Sequence, residues 1–274
     1  MNRHADKDIS IMFKSSKGDD GMSDYTAFVE DVFRKTGINL VDYKEAQMKR
    51  RLTSFRDREG YVNFSEMSRA LDSDPLLMDR FLNRITINVS EFFRNPERWR
   101  CLQEQVLPQL AQKFSRLKCW SAACSTGEEP YTMAMILKQA QYAFDLLATD
   151  IDRDALERAK IGEYDDQALK HVSHEFKKQY ILACGYNRFR VNNELKRLVR
   201  FSRHDLLRDP YPKQCHVIVC RNVLIYFTDA AKARIYESFS ESLVPGGVLF
   251  VGSTEQILHP DRYGLKPIAP FMYA

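Results

Sequence analysis

At 274 residues, with 44% hydrophobic and 28% charged side chains, the chain has the composition of a soluble globular protein large enough for two domains. No apolar run approaches the ~20 residues that cross a bilayer. The polar start "MNRHADKDISIMFKSSKGDDG" also lacks a signal-peptide core, so a cytoplasmic protein without membrane insertion is expected. A net charge of +4 is too modest to mark a nucleic-acid binder, and six scattered cysteines and six dispersed histidines show no metal-ligand spacing.

Residues 1–22 are polar and read as a tail. Residues 23–84 carry helical signals throughout. Ser23 or Asp24 offers a cap before Phe28, Val29, Val32 and Phe33, and Gly37 is a stop. The next helix places Met48, Leu52 and Phe55 on one stripe and ends at Gly60. Two short helices follow, the second with Pro75 in its first turn. Basic residues gather on the second helix: Lys44, Arg51 and Arg58 line up beside its apolar stripe, while Lys49, Arg50 and Arg56 point elsewhere. Such a set is either a solvated helix face or a docking surface for an acidic partner.

Residues 85–116 connect this region to one of different character. From residue 117 strands and helices alternate: "LKCWSAAC", a helix over 129–141, "FDLLATD", a helix over 152–161 and a helical stretch around 165–183. Then come "RFRV", "LVRFSRHD", "CHVIVCRN", a helix over 229–242, "GVLFVGST" and a final pair near 261–273. Nearly continuous apolar strands alternating with helices predict an α/β fold with a doubly wound, mostly parallel sheet over 117–274. The segment 184–201 breaks the alternation and predicts a small β insertion with a hairpin around Asn192-Asn193.

Ligands of such sheets sit at the carboxyl ends of the strands. The first strand leads into "CSTGEEPY", a turn with a single glycine, no lysine and two carboxylates at the head of a helix. That is unsuited to phosphate. Gly127 is expected to let backbone approach a ligand. Asp150 ends the second strand 23 residues after Gly127, where a carboxylate binds a ribose in dinucleotide folds. Asp150 or Asp152 would serve equally well as the cap of the following helix, and Glu128 and Glu129 as complements of a helix dipole. Two further strands end in His204-Asp205-Leu206 and Arg221-Asn222. A ribose site without phosphate chemistry points to S-adenosylmethionine, with Glu129 facing it and Glu128 serving the helix start.

Four stretches in order, "RITINVSEFFRNPERW", "WSAACSTGEEPYTMAM", "ATDID" and "CRNVLIYF", resemble the CheR family of chemotaxis receptor methyltransferases, from about residue 24 to the C-terminus. The resemblance implies a class I S-adenosylmethionine-dependent methyltransferase with a small all-helical N-terminal domain, and a protein-glutamate O-methyltransferase activity releasing S-adenosylhomocysteine. It implies cofactor contacts at Asn88, Ser90, Arg94, Ala123, Glu129, Asp150, Asp205, Leu206, Arg221 and Asn222. Ser90 stands where threonine is frequent in the family, and Asp205 where asparagine is familiar. Arg94 and Tyr226 are the candidates to orient the attacking carboxylate, which is already ionised and needs no base. Lys49, Arg50, Arg51 and Arg56 are then expected to dock the cytoplasmic domains of chemoreceptors. Regulatory proteins are further candidate partners, and a monomer is expected. The short "ACGYNRFRVNN" lacks the glycine-rich loop of members that grip a receptor pentapeptide, which favours recognition without it. Two other readings compete. A nucleobase methyltransferase would want prolines where "RNVLIYF" stands, and a cofactor-binding signalling protein would bind without turnover.

Overall fold

The computed structural model describes residues 24–86, 88 and 90–274. The expected tail and the Ser23 cap lie outside the described residues. Four helices come first: α1 (Asp24–Thr36), α2 (Glu45–Arg58), α3 (Phe64–Ser73) and α4 (Pro75–Ile85). Asp24 does not cap its own helix. Its carboxylate accepts the Phe64 and Ser65 N–H groups at 2.7 and 2.9 Å, pinning the start of α1 to the start of α3. Asp74 accepts from Leu76 and Leu77 at the head of α4, where Pro75 has no N–H to satisfy. The amphipathic faces meet in one core built on Phe28, Met48, Leu52, Phe55 and Phe81, with Phe28 and Phe81 in edge contact at 5.7 Å.

Two helices, α5 (Pro96–Cys101) and α6 (Leu107–Lys113), flank a π-turn at Leu102–Val106. Pro108 lacks the N–H that would continue the regular ladder there, which accounts for the wide turn. The rest of the chain alternates. It runs β1 (Leu117–Ala122), α7 (Glu128–Gln139), β2 (Phe144–Asp150), α8 (Arg153–Ile161), β3 (Glu163–Asp165), α9 (His174–Tyr180), β4 (Ile181–Gly185) and β5 (Arg188–Val191). It continues with α10 (Asn193–Lys196), β6 (Val199–Arg203), β7 (Cys215–Cys220), α11 (Asp229–Ser242), β8 (Leu243–Val251), β9 (Pro267–Ala269) and β10 (Met272–Tyr273).

The main sheet has the order β6-β2-β1-β7-β8-β10-β9, parallel from β6 to β8 and antiparallel at the β10-β9 edge. Successive strand residues turn to opposite faces. Cys119, Val217, Val219 and Phe250 join the α7 side, and Trp120, Ile218, Cys220 and Leu249 join the α11 side. Covering on both faces is why these strands read as unbroken apolar runs. The direction of winding reverses between β1 and β7, so the crevice opens at their carboxyl ends.

The β insertion differs from the sequence expectation. Its three strands, ordered β3-β5-β4, begin at Glu163, well before residue 184, and Val199–Arg203 belongs to the main sheet. The hairpin turns at Tyr186-Asn187, with Asn187 at φ +52°, and not at Asn192-Asn193. Asn192 caps α10, accepting from the Leu195 N–H at 2.9 Å. Either asparagine suits a turn, and pairing with β3 decides which one makes it. Only His174–Tyr180 of the expected 165–183 helix is α-helical. Among the described residues no helix is long and apolar enough to cross a membrane.

Candidate active site

A cleft of about 1030 Å³, counting its open mouth, lies over the carboxyl ends of β1, β2, β6 and β7. Asn88, Ser90, Arg94, Ala123, Glu129, Asp150, Asp205, Leu206, Arg221, Asn222 and Tyr226 all line it. Residues scattered over more than half of the chain thus meet in one place.

The loop after β1 forms its floor. Ala123 and Ser125 take φ +63° and +49°, conformations that side chains rarely adopt, and both line the cleft. Gly127, at φ +97°, does not line it. A Cβ there would stand 2.9 Å from Ala159 Cβ of α8 and 3.0 Å from Tyr164 Oη of β3. The glycine therefore lets the scaffold pack close, and the expectation that it admits a ligand is corrected: the small residues that approach the cleft are Ala123 and Ser125. The two carboxylates of this turn part company. Glu128 turns under the loop, taking the Thr126 hydroxyl at 2.8 Å and that of Ser90. Glu129 faces the cleft and takes the Ser121 hydroxyl at 2.8 Å. Burial pushes its pKa up to about 7, against the opposing pull of Arg221, the Ser121 hydroxyl and Arg94.

At the end of β2 the two aspartates also divide the work. Asp152 caps α8, accepting from Ala155 N–H at 3.0 Å, and holds Thr86 and Asn88 at 2.7 and 2.6 Å. Asn88 in turn accepts the Ser125 hydroxyl at 2.9 Å, which fastens the connecting segment to the floor. Asp150 lines the cleft. It accepts the Ser125 and Asp152 N–H groups at 2.7 and 2.9 Å, and burial raises its pKa to about 6 even so.

The opposite wall comes from β6 and β7. Asp205 accepts the Leu207 N–H at 2.8 Å, and burial raises its pKa. Arg221 is buried over the rings of Phe250 and Trp99 at 4.8 and 5.4 Å. Its Nη2 donates to the Arg94 carbonyl and to Asn95 Oδ1, both at 2.9 Å, so it fixes the segment that carries Arg94. Its Nε, like Nδ1 of His204, is buried with no partner among the described residues. Asn222 adopts φ +63°. Tyr226 sits in a single 3-10 turn, Leu224–Tyr226, and its carbonyl accepts from Lys44 N–H at 2.9 Å. Tyr43 packs its ring at a tilt against Phe227, centroids 4.9 Å apart, so the helical layer closes this side of the cleft. Burial raises the Tyr226 phenol, while Arg51 and Arg94 pull it down.

The four basic residues of α2 do not share one face. Lys49 and Arg50 are exposed around a shallow hollow. Arg56 bonds Asp57 and lies over Phe64. Arg51 turns inward: it donates to the Arg84 and Thr86 carbonyls at 2.7 and 3.3 Å, with its guanidinium 6.0 Å from the Tyr226 ring centre. Sequence reasoning missed Tyr43, Ser125 and Trp99, which also line the cleft. The small residues "ACS" after an apolar strand are the available signal for Ser125. Nothing local marks Tyr43.

The donor set fits a phosphate-free nucleoside with a cationic end. Glu129, Asp150 and Asp205 present carboxylates to the cleft with apolar side chains beside them, and among the described residues no lysine lines it. Together with the sheet order and the switch-point crevice, this defines a class I S-adenosylmethionine-dependent methyltransferase. The family model described as CheR methyltransferase, SAM binding domain, matches residues 88–269, and the CheR all-alpha domain matches 23–86. The chain belongs to the CheR methyltransferase family. It is similar to the chemotaxis protein methyltransferase of Listeria monocytogenes, at 45% identity over 91% of this chain and 96% of that one. The protein of the same name from Listeria innocua is 44% identical over the same shares. Chemotaxis protein methyltransferase 2 of Pseudomonas aeruginosa is 34% identical over 87% of this chain and 88% of its own.

Proposed function

We propose that the protein methylates glutamate side chains on the cytoplasmic domains of chemoreceptors, forming methyl esters in chemotactic adaptation. The observation that carries this reading is that Arg94 and Tyr226 line the same cleft as the cofactor-facing acids, with the Arg51 guanidinium beside the Tyr226 ring. The names of the similar proteins supply the chemotactic setting.

Bound in the cleft, S-adenosylmethionine supplies a methyl group carried on a positive sulfur. Asp150, at the end of the second strand, holds the ribose, and Glu129 faces the cationic end. Asn88, Ser90, Ala123, Asp205, Leu206, Arg221 and Asn222 complete the contacts. A glutamate acceptor has an ordinary pKa near ~4.3, so it enters ionised and no base is required. Arg94 pairs with this carboxylate, and Tyr226, a neutral phenol at physiological pH, donates a hydrogen bond to it. The protein's contribution is orientation in a site shielded from water. Lys49, Arg50 and Arg56 steer the acidic receptor helix from outside, while Arg51 acts at the inner rim. Receptor recognition does not require a C-terminal pentapeptide, since the β4–β5 hairpin turns in two residues; tight binding of that peptide in a titration would sink this part.

The test is to incubate the protein with labelled S-adenosylmethionine and receptor cytoplasmic fragments. Base-labile label on receptor glutamates is the expected result. Cofactor binding without transfer to any receptor fragment would favour a non-catalytic signalling protein.

A further inference from the structure

The stretch Gly252-Ser-Thr-Glu255 follows β8 and has no part in the reading above. Glu255 is only 5% exposed and does not line the cleft. Among the described residues no lysine or arginine lies within ion-pair distance of it, and burial raises its pKa. Its charge is held by four backbone N–H groups. Oε2 accepts from Asn222 at 2.6 Å and from Gly252 at 2.8 Å. Oε1 accepts from Leu224 at 2.7 Å and from Ile225 at 3.3 Å.

Three of those four donors belong to the loop after β7. That loop needs outside support, because Asn222 is at φ +63° and the 3-10 turn Leu224–Tyr226 leaves its first N–H groups without partners of its own. Gly252 is part of the device: a Cβ there would collide with Glu255 Oε2 and stand 2.9 Å from Asn222 N.

We infer that Glu255 is a positioning residue, whose carboxylate sets the backbone from Asn222 to Tyr226 so that Asn222 meets the cofactor and the Tyr226 hydroxyl meets the acceptor. The Tyr226 half rests on the proposed function; the Asn222 half rests only on cofactor binding. A carboxylate is required because both oxygens accept. A glutamine of the same size turns its NH₂ toward two N–H donors, losing one pair of bonds and setting donor against donor.

The experiment compares wild type, Glu255→Gln, Tyr226→Phe and the double variant. The S-adenosylhomocysteine Kd is measured by calorimetry, and kcat and KM on a receptor fragment well below the melting temperature. Glu255→Gln is expected to weaken Kd and lower kcat by roughly tenfold each, as small misplacements of oriented groups do, with receptor KM little changed. In the double variant the fall in kcat should be smaller than the product of the single falls, since one residue acts through the other. If Glu255→Gln fails to fold, Gly252→Ala keeps the charge and displaces it, and should reproduce both effects. A lowered melting temperature with Kd and kcat within about twofold of wild type would overturn the inference. Single effects on kcat that simply multiply would overturn its Tyr226 half. If Tyr226→Phe alone leaves kcat intact, the Tyr226 assignment falls, and the Kd measurement still decides whether Glu255 positions Asn222.

Discussion

Asp150 and Glu255 are both carboxylates buried at strand ends, on opposite sides of the switch point, and their exposures of 7% and 5% do not tell them apart. Both take backbone N–H groups, and burial raises the pKa of both. They differ in where they face. Backbone N–H groups engage both oxygens of each, but Asp150 borders the cleft and Glu255 does not. A buried acid is thus read as ligand-binding or as scaffold from whether it borders the cleft, and neither burial, titration nor backbone donors alone decide.

The largest expected effect breaks or upholds this contrast directly. Asp150→Ala removes both the proposed ribose acceptor and the anchor of Ser125, so the S-adenosylhomocysteine Kd should weaken by about 100-fold, on the scale of a lost charged hydrogen bond plus its loop support. A loss no larger than that of Glu255→Gln would erase the distinction. Next, Tyr226→Phe should lower kcat by about tenfold with that Kd unchanged, as for one hydrogen bond made to the acceptor. A change in Kd alone would move Tyr226 to the cofactor side.

The third prediction concerns pH. In the free protein Glu129 and Asp150 titrate at about 7 and about 6, above their unfolded values. Their contribution to stability is therefore fully present below the unfolded values and is lost as pH rises through about 6 to about 7. A cationic ligand favours the ionised forms, so its binding releases protons in that window. Affinity should rise with pH up to about 7.5, by at most about tenfold per unit for each of the two groups. The melting-temperature increment from S-adenosylhomocysteine should be larger at about pH 8 than at about pH 6, and Glu129→Gln should flatten the upper part of the profile. An affinity independent of pH between about 5.5 and 8 would remove Glu129 from the cofactor site.

The smallest effect belongs to the outer face of α2. Reversing Lys49, Arg50 or Arg56 should raise the receptor KM by roughly twofold to fivefold each, in a salt-dependent way, with cofactor affinity unchanged. Arg51→Glu should differ by lowering kcat, because Arg51 lies against Tyr226. Equal KM effects from all four would place Arg51 back on the docking face.

Much of the site is legible in the amino-acid sequence. Strand ends are marked by the change from apolar run to polar residue, so Asp150, Asp205 and Arg221-Asn222 can be placed at one edge of a parallel sheet. The resemblance in "INVSEFFRN" adds Asn88, Ser90 and Arg94. Less is legible where a residue's partner is distant along the chain. Glu255 meets Asn222 33 positions away, and Gly127 owes its lack of a side chain to Ala159 and Tyr164.

By itself the sequence determined the order of helices and strands, the doubly wound sheet and the set of polar groups at its ligand edge. These follow from hydrophobic periodicity and chain connectivity, which are local properties. Only the tertiary structure decided that Gly127 serves packing, that the hairpin turns at Asn187, that Arg51 faces inward, and that Glu255 holds the loop carrying Asn222 and Tyr226. Each of those depends on which backbone or side chain arrives from elsewhere to fill the space or supply the hydrogen bond, and no local pattern encodes that arrival.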